Sequence, residues 1–243
     1  MAPKITNKRA ILLTGTVIPN SIYTGYNNPE KRLQDYLKAI EFYCNIFKNE
    51  DVFFLENSEF DLDSNMDYKS IRGKYTFTML RFPKSEKFNE GKGYQEFEMV
   101  DKAVDMLKDK YASFIKITGR YIVLNIKTIT AGKCTGIVID LNKRLKKADT
   151  YLLYFTTDFY MRFLKQQYKN VKDNEGIFIE HVIYSKIEEG NLFGYCSLFS
   201  KTPLLSGISG SYGINLKRNR LRVLVRNIER FFYNIFNIKV FFY

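Results

Sequence analysis

The chain has 243 residues, of which 45% are apolar and 16% aromatic, enough to bury a full-sized core and too hydrophobic for a disordered chain. Its formal net charge is +12, which favours a polyanionic partner: phosphorylated substrate, anionic lipid or nucleic acid. Three dispersed cysteines, Cys44, Cys134 and Cys196, form no CxxC pair and suit a reducing compartment such as the cytoplasm better than a disulfide framework.

The N-terminus carries only a short apolar run and no small-residue cleavage site, and no uninterrupted apolar stretch reaches the roughly 18 residues needed to cross a bilayer. Arg9 to Pro19 (RAILLTGTVIP) reads as a buried strand that delivers a polar loop. From Pro29, the residues Leu33, Tyr36, Leu37, Ile40, Tyr43, Cys44 and Phe47 recur at helical spacing, giving a first βα unit. DVFFLENS and KYTFTMLRF predict a second and a third strand, and Gly91 to Lys110 a second amphipathic helix. ASFIKITGRYIVLN predicts a fourth strand interrupted by a Gly-Arg turn, and TGIVIDLN and TYLLYFTT two more. This order predicts an α/β fold, a Rossmann-type mainly parallel sheet flanked by helices, with ligands outside the carboxyl ends of the strands. The Gly/Ser-rich stretch 203–216 leads into a last helix.

That last segment is the most polarised part of the chain. Residues 201–243 hold eight Lys or Arg against the single acid Glu229, which is +7 of the total. Leu221, Leu224, Val225, Ile228, Phe231, Phe232 and Ile235 fall on one helical face, with Arg218, Arg222, Arg226 and Arg230 on others. The pattern predicts a basic amphipathic helix over 214–243 that either lies on an anionic membrane surface, making the protein peripheral to the inner face of the cell membrane, or closes the core of the 1–213 domain.

Several chemistries have no residues to carry them. His181 is the only histidine, so a multi-histidine metal site is not available, and GxGxxG, GxxxxGK[ST] and GxSxG are all missing. What remains is a set of carboxylates, basic residues and glycine-containing strand ends, suited to group transfer from a phosphorylated donor.

The segments GKGYQEFEMVDKAV (91–104), FIKITGRYIVLN (114–125) and GIFIEHVIYSKI (176–187) resemble those of bacterial GT-A-type glycosyltransferases of capsular polysaccharide and lipopolysaccharide (O-antigen) biosynthesis, over roughly residues 9 to 213. The resemblance implies a hexosyltransferase that moves a sugar from a nucleotide-sugar donor to a glycan or polyprenyl-linked acceptor. Such enzymes commonly end the fourth strand in a DxD element that binds Mg2+ or Mn2+. Here Thr118, Gly119 and Arg120 stand in the similar place, and the arginine fork could neutralise the diphosphate without a metal. Other carboxylates, such as Glu96 and Glu98, leave a metal as an alternative. Asp61 and Asp63 form a literal DxD in a polar loop away from that place.

The same resemblance assigns Lys92 to phosphate, Gly93 to close backbone approach, Glu96 to sugar hydroxyls or the helix dipole, and Tyr94 to ring stacking or core packing. Thr14, Gly15, Thr16 and Arg32 resemble the region that holds base and ribose. Glu180 corresponds to the catalytic base of an inverting transfer, with His181 as assistant or structural residue, and Ser209, Gly210 and Ser211 to a lid or acceptor loop or an ordinary connection. The alternatives are a sugar-phosphate nucleotidyltransferase, although LLTGTVIPNS lacks the usual Gly-rich basic loop, and a basic nucleic-acid-binding protein, for which no RNA- or DNA-binding motif is present and no nucleic-acid partner is expected.

Overall fold

The structure is a computed structural model and describes residues 8–20, 24–208 and 219–241. In chain order the elements are β1 (Arg9–Gly15), α1 (Pro29–Ile46), β2 (Asp51–Glu56), α2 (Met66–Lys74), β3 (Thr78–Arg81), α3 (Lys92–Leu107), β4 (Ser113–Thr118), β5 (Ile122–Val123), α4 (Ile126–Ile129), β6 (Ile137–Val138), β7 (Leu141–Asn142), β8 (Lys147–Ala148), β9 (Leu152–Thr156), α5 (Thr157–Phe159), α6 (Ile179–Glu189), β10 (Cys196–Ser197), β11 (Leu205–Ser206) and α7 (Arg220–Ile235).

The central sheet runs β10-β6-β9-β4-β1-β2-β3. Its β4-β1-β2-β3 half is parallel, and β9 is the reversed strand, antiparallel to both β4 and β6. Each face of the sheet is covered, so the strands are apolar on both sides. Ala10 and Leu12 of β1 pack into one core with α3 and α6, while Ile11 and Leu13 pack into the other with α1. The first helix starts as its sequence suggests: Pro29 occupies the first turn, and the Asn28 side chain accepts from the Lys31 N–H at 2.9 Å.

The expected strand over ASFIKITGRYIVLN divides in two. β4 stays in the central sheet, whereas β5, beyond the turn at Gly119 and Arg120, pairs antiparallel with β11. TGIVIDLN divides likewise into β6 and β7, the latter pairing with β8. Helix α2, which follows the Asp61/Asp63 loop, is short and weakly amphipathic and was not expected from the sequence. Asp63 there is exposed and pairs with Arg81 at 2.8 Å, on the surface beside β3.

The chain winds outward from β1 through β2 to β3, then returns to the other side of β1 as β4. This reversal opens a crevice at the carboxyl ends of β1 and β4, where ligands of open α/β sheets bind. Helix α7 does not close the core with its apolar face. It rests on the body through its polar side, and Leu221, Leu224, Val225, Ile228, Phe231, Phe232 and Ile235 are all exposed. Among the described residues no helix is long and apolar enough to cross a membrane.

Candidate active site

Thr14 and Thr118 lie opposite one another in the β1–β4 register, so both side chains leave the strand ends on the same face. That face is covered by α3, whose Glu96 meets them both. Thr14 Oγ1 donates to Glu96 Oε1 at 2.5 Å and Thr118 Oγ1 at 3.0 Å. The same oxygen pairs with Lys116 Nζ at 2.6 Å. Lys116 projects from the middle of β4, has no exposed surface and also donates to the Thr150 carbonyl at 2.8 Å. Burial pushes the Glu96 carboxyl upward, but the adjacent ammonium and the hydroxyl donors outweigh it and hold the group below the usual glutamate range.

Two cavities flank this cluster. The first, about 100 Å³, lies between β1, α1 and α3, with Thr14, Thr16, Asn20, Arg32 and Tyr36 in its wall. The second, about 360 Å³, lies toward α6 and the β8–β9 turn, with Asp149, Thr150, Asp173 and Glu180 in its wall. Lys92, Glu96, Thr118 and Arg120 line both cavities and form the partition between them. A cavity of about 150 Å³ takes a benzene ring. The first cavity is smaller than that and open to solvent on one side, so a nucleotide-sized ligand extends past the partition into the second.

Arg120 is the central cation. It is buried at 6% exposure, and its guanidinium is surrounded by the rings of Tyr26, Tyr121 and Tyr36 at 5.5, 5.8 and 5.9 Å. Nη1 donates to the Ile208 carbonyl at 3.1 Å, while the buried Nε–H meets no acceptor among the described residues. An unmet buried donor beside a cleft is costly, and an anion entering the cleft relieves it. Gly119 makes the turn into Arg120 possible: its N–H donates to the Thr14 carbonyl at 2.8 Å, and a Cβ there would lie 2.7 Å from that same oxygen.

Arg32 performs a different task. Nε donates to the Thr16 carbonyl at 2.9 Å and Nη1 to the Tyr26 carbonyl at 2.9 Å, which ties the loop after β1 onto α1. Burial lowers its pKa, with nearby Arg120 adding to the effect and the Tyr36 phenol opposing it. Thr16 completes the knot, its hydroxyl donating to Asn57 Oδ1 at 2.7 Å.

Lys92 opens α3. Its backbone N–H donates to Asp173 Oδ2 at 3.2 Å, and burial lowers its ammonium pKa against the pull of Asp173, Glu180 and Glu96. Burial likewise raises the pKa of Asp173, and the charge on Glu180 adds to it. Gly93 lets α3 meet α6, since a Cβ would press on Ile179. Glu180, in the first turn of α6, accepts from Thr150 Oγ1 at 3.3 Å.

Four expected site residues line neither cavity: Gly119, which makes the turn into Arg120, together with Gly15, Tyr94 and His181. Gly15 is a packing position under the Phe54 and Tyr36 rings. Tyr94 turns into the core and meets Tyr168 edge to face at 4.9 Å. His181 sits at the start of α6, where Nδ1 accepts from the Phe178 N–H at 3.3 Å. Of the two glutamates on α3, Glu96 faces the crevice and Glu98 pairs with Lys102 on the helix surface at 2.9 Å. Ser209, Gly210 and Ser211 lie outside the described residues.

The sequence reading overlooked Lys116, Asp149 and Asp173. Lys116 did leave a signal, a lysine in the middle of an apolar strand, because a fully buried lysine needs a partner. The aspartates left none, for both sit in polar loops.

A divalent ion on a diphosphate is held by one or two protein carboxylates, with phosphate oxygens and water completing its shell. The end of β4 offers Thr118, Gly119 and Arg120, and the nearest carboxylate, Glu96, is engaged by Lys116 and two threonines. No group of three His, Cys, Asp or Glu side chains suited to a metal occurs among the described residues. The end of β4 thus presents no unengaged carboxylate to such an ion, and an arginine and a lysine line the partition beside it.

No protein-family model and no curated protein matches the sequence. Similar solved structures include a protein of Desulfovibrio desulfuricans G20 provisionally assigned as a nucleotide-diphospho-sugar transferase, with a TM-score of 0.48 and 12% identity over 76% of this chain and 78% of that one. A mannosyltransferase of Pyrobaculum calidifontis, solved with GDP-Man and Mn2+, gives a TM-score of 0.39 at 9% identity over 66% of this chain and 47% of that one. The 4-diphosphocytidyl-2C-methyl-D-erythritol synthase of Anaerococcus prevotii gives 0.46 at 12% identity over 92% and 96%. The printed activities of these proteins differ, and at such scores and identities they assign none of them to this chain.

Proposed function

We propose that this chain transfers a glycosyl group from a nucleoside-diphosphate sugar to a hydroxyl acceptor. The observation that carries the reading is the meeting of two cavities at the partition formed by Lys92 and Arg120, with Glu180 in the wall of the second. In this reading the base enters beside Thr14, Thr16 and Tyr36, and the diphosphate crosses the partition. The sugar and acceptor then share the second cavity.

Arg120 and Lys92 counter the charge that grows on the departing diphosphate as the bond from the sugar's anomeric carbon to the phosphate oxygen breaks. Glu180 takes the proton from the acceptor hydroxyl as its oxygen bonds to that carbon on the opposite face, which inverts configuration. A carboxylate is the chemistry required there, and His181, held at the helix start, plays no part in the step. The acceptor class, a glycan or polyprenyl-linked intermediate of capsule or lipopolysaccharide assembly, follows from the resemblance of residues 91–104, 114–125 and 176–187.

A second reading is nucleotidyl transfer to a sugar phosphate, favoured by the two cations Lys92 and Arg120 that line both cavities, along which a triphosphate would lie. The products separate the two. The protein is incubated with nucleotide-sugars and, separately, with nucleoside triphosphates plus sugar phosphates. Release of nucleoside diphosphate supports the first reading, and release of pyrophosphate replaces it with the second. Binding of neither ligand class, together with tight, salt-sensitive binding of nucleic acid, rejects both.

A further inference from the structure

Helix α7 is mounted with its apolar side outward. Its N-terminus is capped by the Asn219 side chain, which accepts from the Leu221 N–H at 2.8 Å. It is held to the body by polar side chains and by ring contacts of Tyr233 and Arg230 with the buried Phe241. Arg230, only 3% exposed, grips Asp140 with both ends of its fork, Nη1 to Oδ1 at 2.7 Å, and donates to the Phe199 carbonyl at 3.0 Å. Asn227 Oδ1 accepts from the Thr202 N–H at 2.8 Å. On the opposite side, Leu221, Leu224, Ile228, Phe231, Ile235 and Phe236 stand 52% to 69% exposed. With Val225 and Phe232 they cover about 140° of helix surface, a full amphipathic face. Globular proteins rarely leave an apolar patch of this kind open to water. The exposed Arg220 and Arg222 flank the patch on its two sides.

We infer that α7 docks on an anionic lipid surface, its apolar face entering the interface and its flanking arginines meeting the headgroups. The charge pattern selects this occupant. Two copies of the chain apposed through α7 would bring the same cationic rims together, whereas an anionic leaflet complements them. The buried Arg230–Asp140 pair makes the arrangement durable, because rolling the apolar face inward would strip a desolvated aspartate of its counter-charge.

The test is flotation of the full chain with vesicles of phosphatidylcholine alone and of phosphatidylcholine with about one third phosphatidylglycerol, with sedimentation equilibrium in parallel. The expected result is binding to the anionic vesicles only, weakened at high salt by screening. Ile228→Asn/Phe231→Asn, which changes no charge and touches exposed positions, should reduce binding at least about tenfold, as should Arg220→Gln/Arg222→Gln. Thermal unfolding of both variants should match the parent. Absence of binding by the parent, or binding that survives Ile228→Asn/Phe231→Asn, overturns the inference. So does a parent dimer dissolved by that same double substitution without any lipid binding, which assigns the face to a second copy.

Discussion

Replacing Glu96 by glutamine tests the centre of the site most directly, because it leaves Lys116 charged, fully buried and without its anion. The side chain changes little in volume, so packing contributes little to the effect. What is lost is the carboxylate 2.6 Å from Nζ, and the Thr150 carbonyl at 2.8 Å and the Thr118 hydroxyl at 3.3 Å cannot replace a charge. Removing one member of a buried pair costs about 3–5 kcal/mol. Glu96 keeps 23% of its side chain exposed, which draws the expectation toward the lower end. For a chain of this length about 3 kcal/mol lowers Tm by roughly 6–12 °C.

The pH dependence gives an independent check. The folded carboxyl lies below its ordinary value, so its contribution is complete above the unfolded glutamate pKa of about 4.3 and is lost as pH falls through the lower folded value. Parent and variant should therefore differ most near neutrality and converge in acid. Thermal and urea unfolding across that pH range measure both effects. Lys116→Met/Glu96→Gln, which removes both charges, should recover part of the loss. A Glu96→Gln destabilisation below about 1 kcal/mol, or one that persists unchanged in acid, would refute the idea that this ion pair holds β4 to α3.

Four further outcomes are expected. Arg120→Lys keeps the charge but loses the fork and Nε, so affinity for nucleoside diphosphate measured by calorimetry should fall about tenfold or more; unchanged affinity removes Arg120 from the site. Glu180→Gln should lower kcat about 10² to 10⁴-fold with that affinity unaltered, and comparable loss of binding would make the residue a ligand instead of a base. Gly91→Ala combines a φ of +118° with a Cβ driven into the Asp173 carboxylate. It should cost about 1–3 kcal/mol in unfolding measurements and disturb the second cavity. Arg230→Met leaves Asp140 buried without its partner, about 3–5 kcal/mol, and amide exchange in α7 should accelerate; unchanged protection of α7 would show that its anchor lies elsewhere.

Local patterning carried much of the architecture. The apolar runs of β1, β2 and β4 and the helical spacing in α1, α3 and α7 are short-range signals that survive in any context consistent with them. The divided strands were not legible, because whether residues after Gly119 continue in the same sheet depends on β11, some 80 residues later. Of the residues that line the two cavities, those at the strand ends and Arg120 were legible, because there a turn delivers a polar residue into a crevice. It was illegible at Asp149 and Asp173, whose place in the cavity wall comes from loops packed against α3 and α6.

Helix α7 separates the two levels most clearly. Its amphipathic pattern and its cationic flanks are properties of the sequence, set by side-chain chemistry at helical spacing. Which face meets the protein was a tertiary decision. The pattern alone is equally served by an apolar face turned inward, and only Asp140, brought beneath the helix from a distant part of the chain, requires Arg230 and the polar side to point in. A buried carboxylate needs its counter-ion more than the core needs one further apolar layer, and so the hydrophobic face of α7 is left outside.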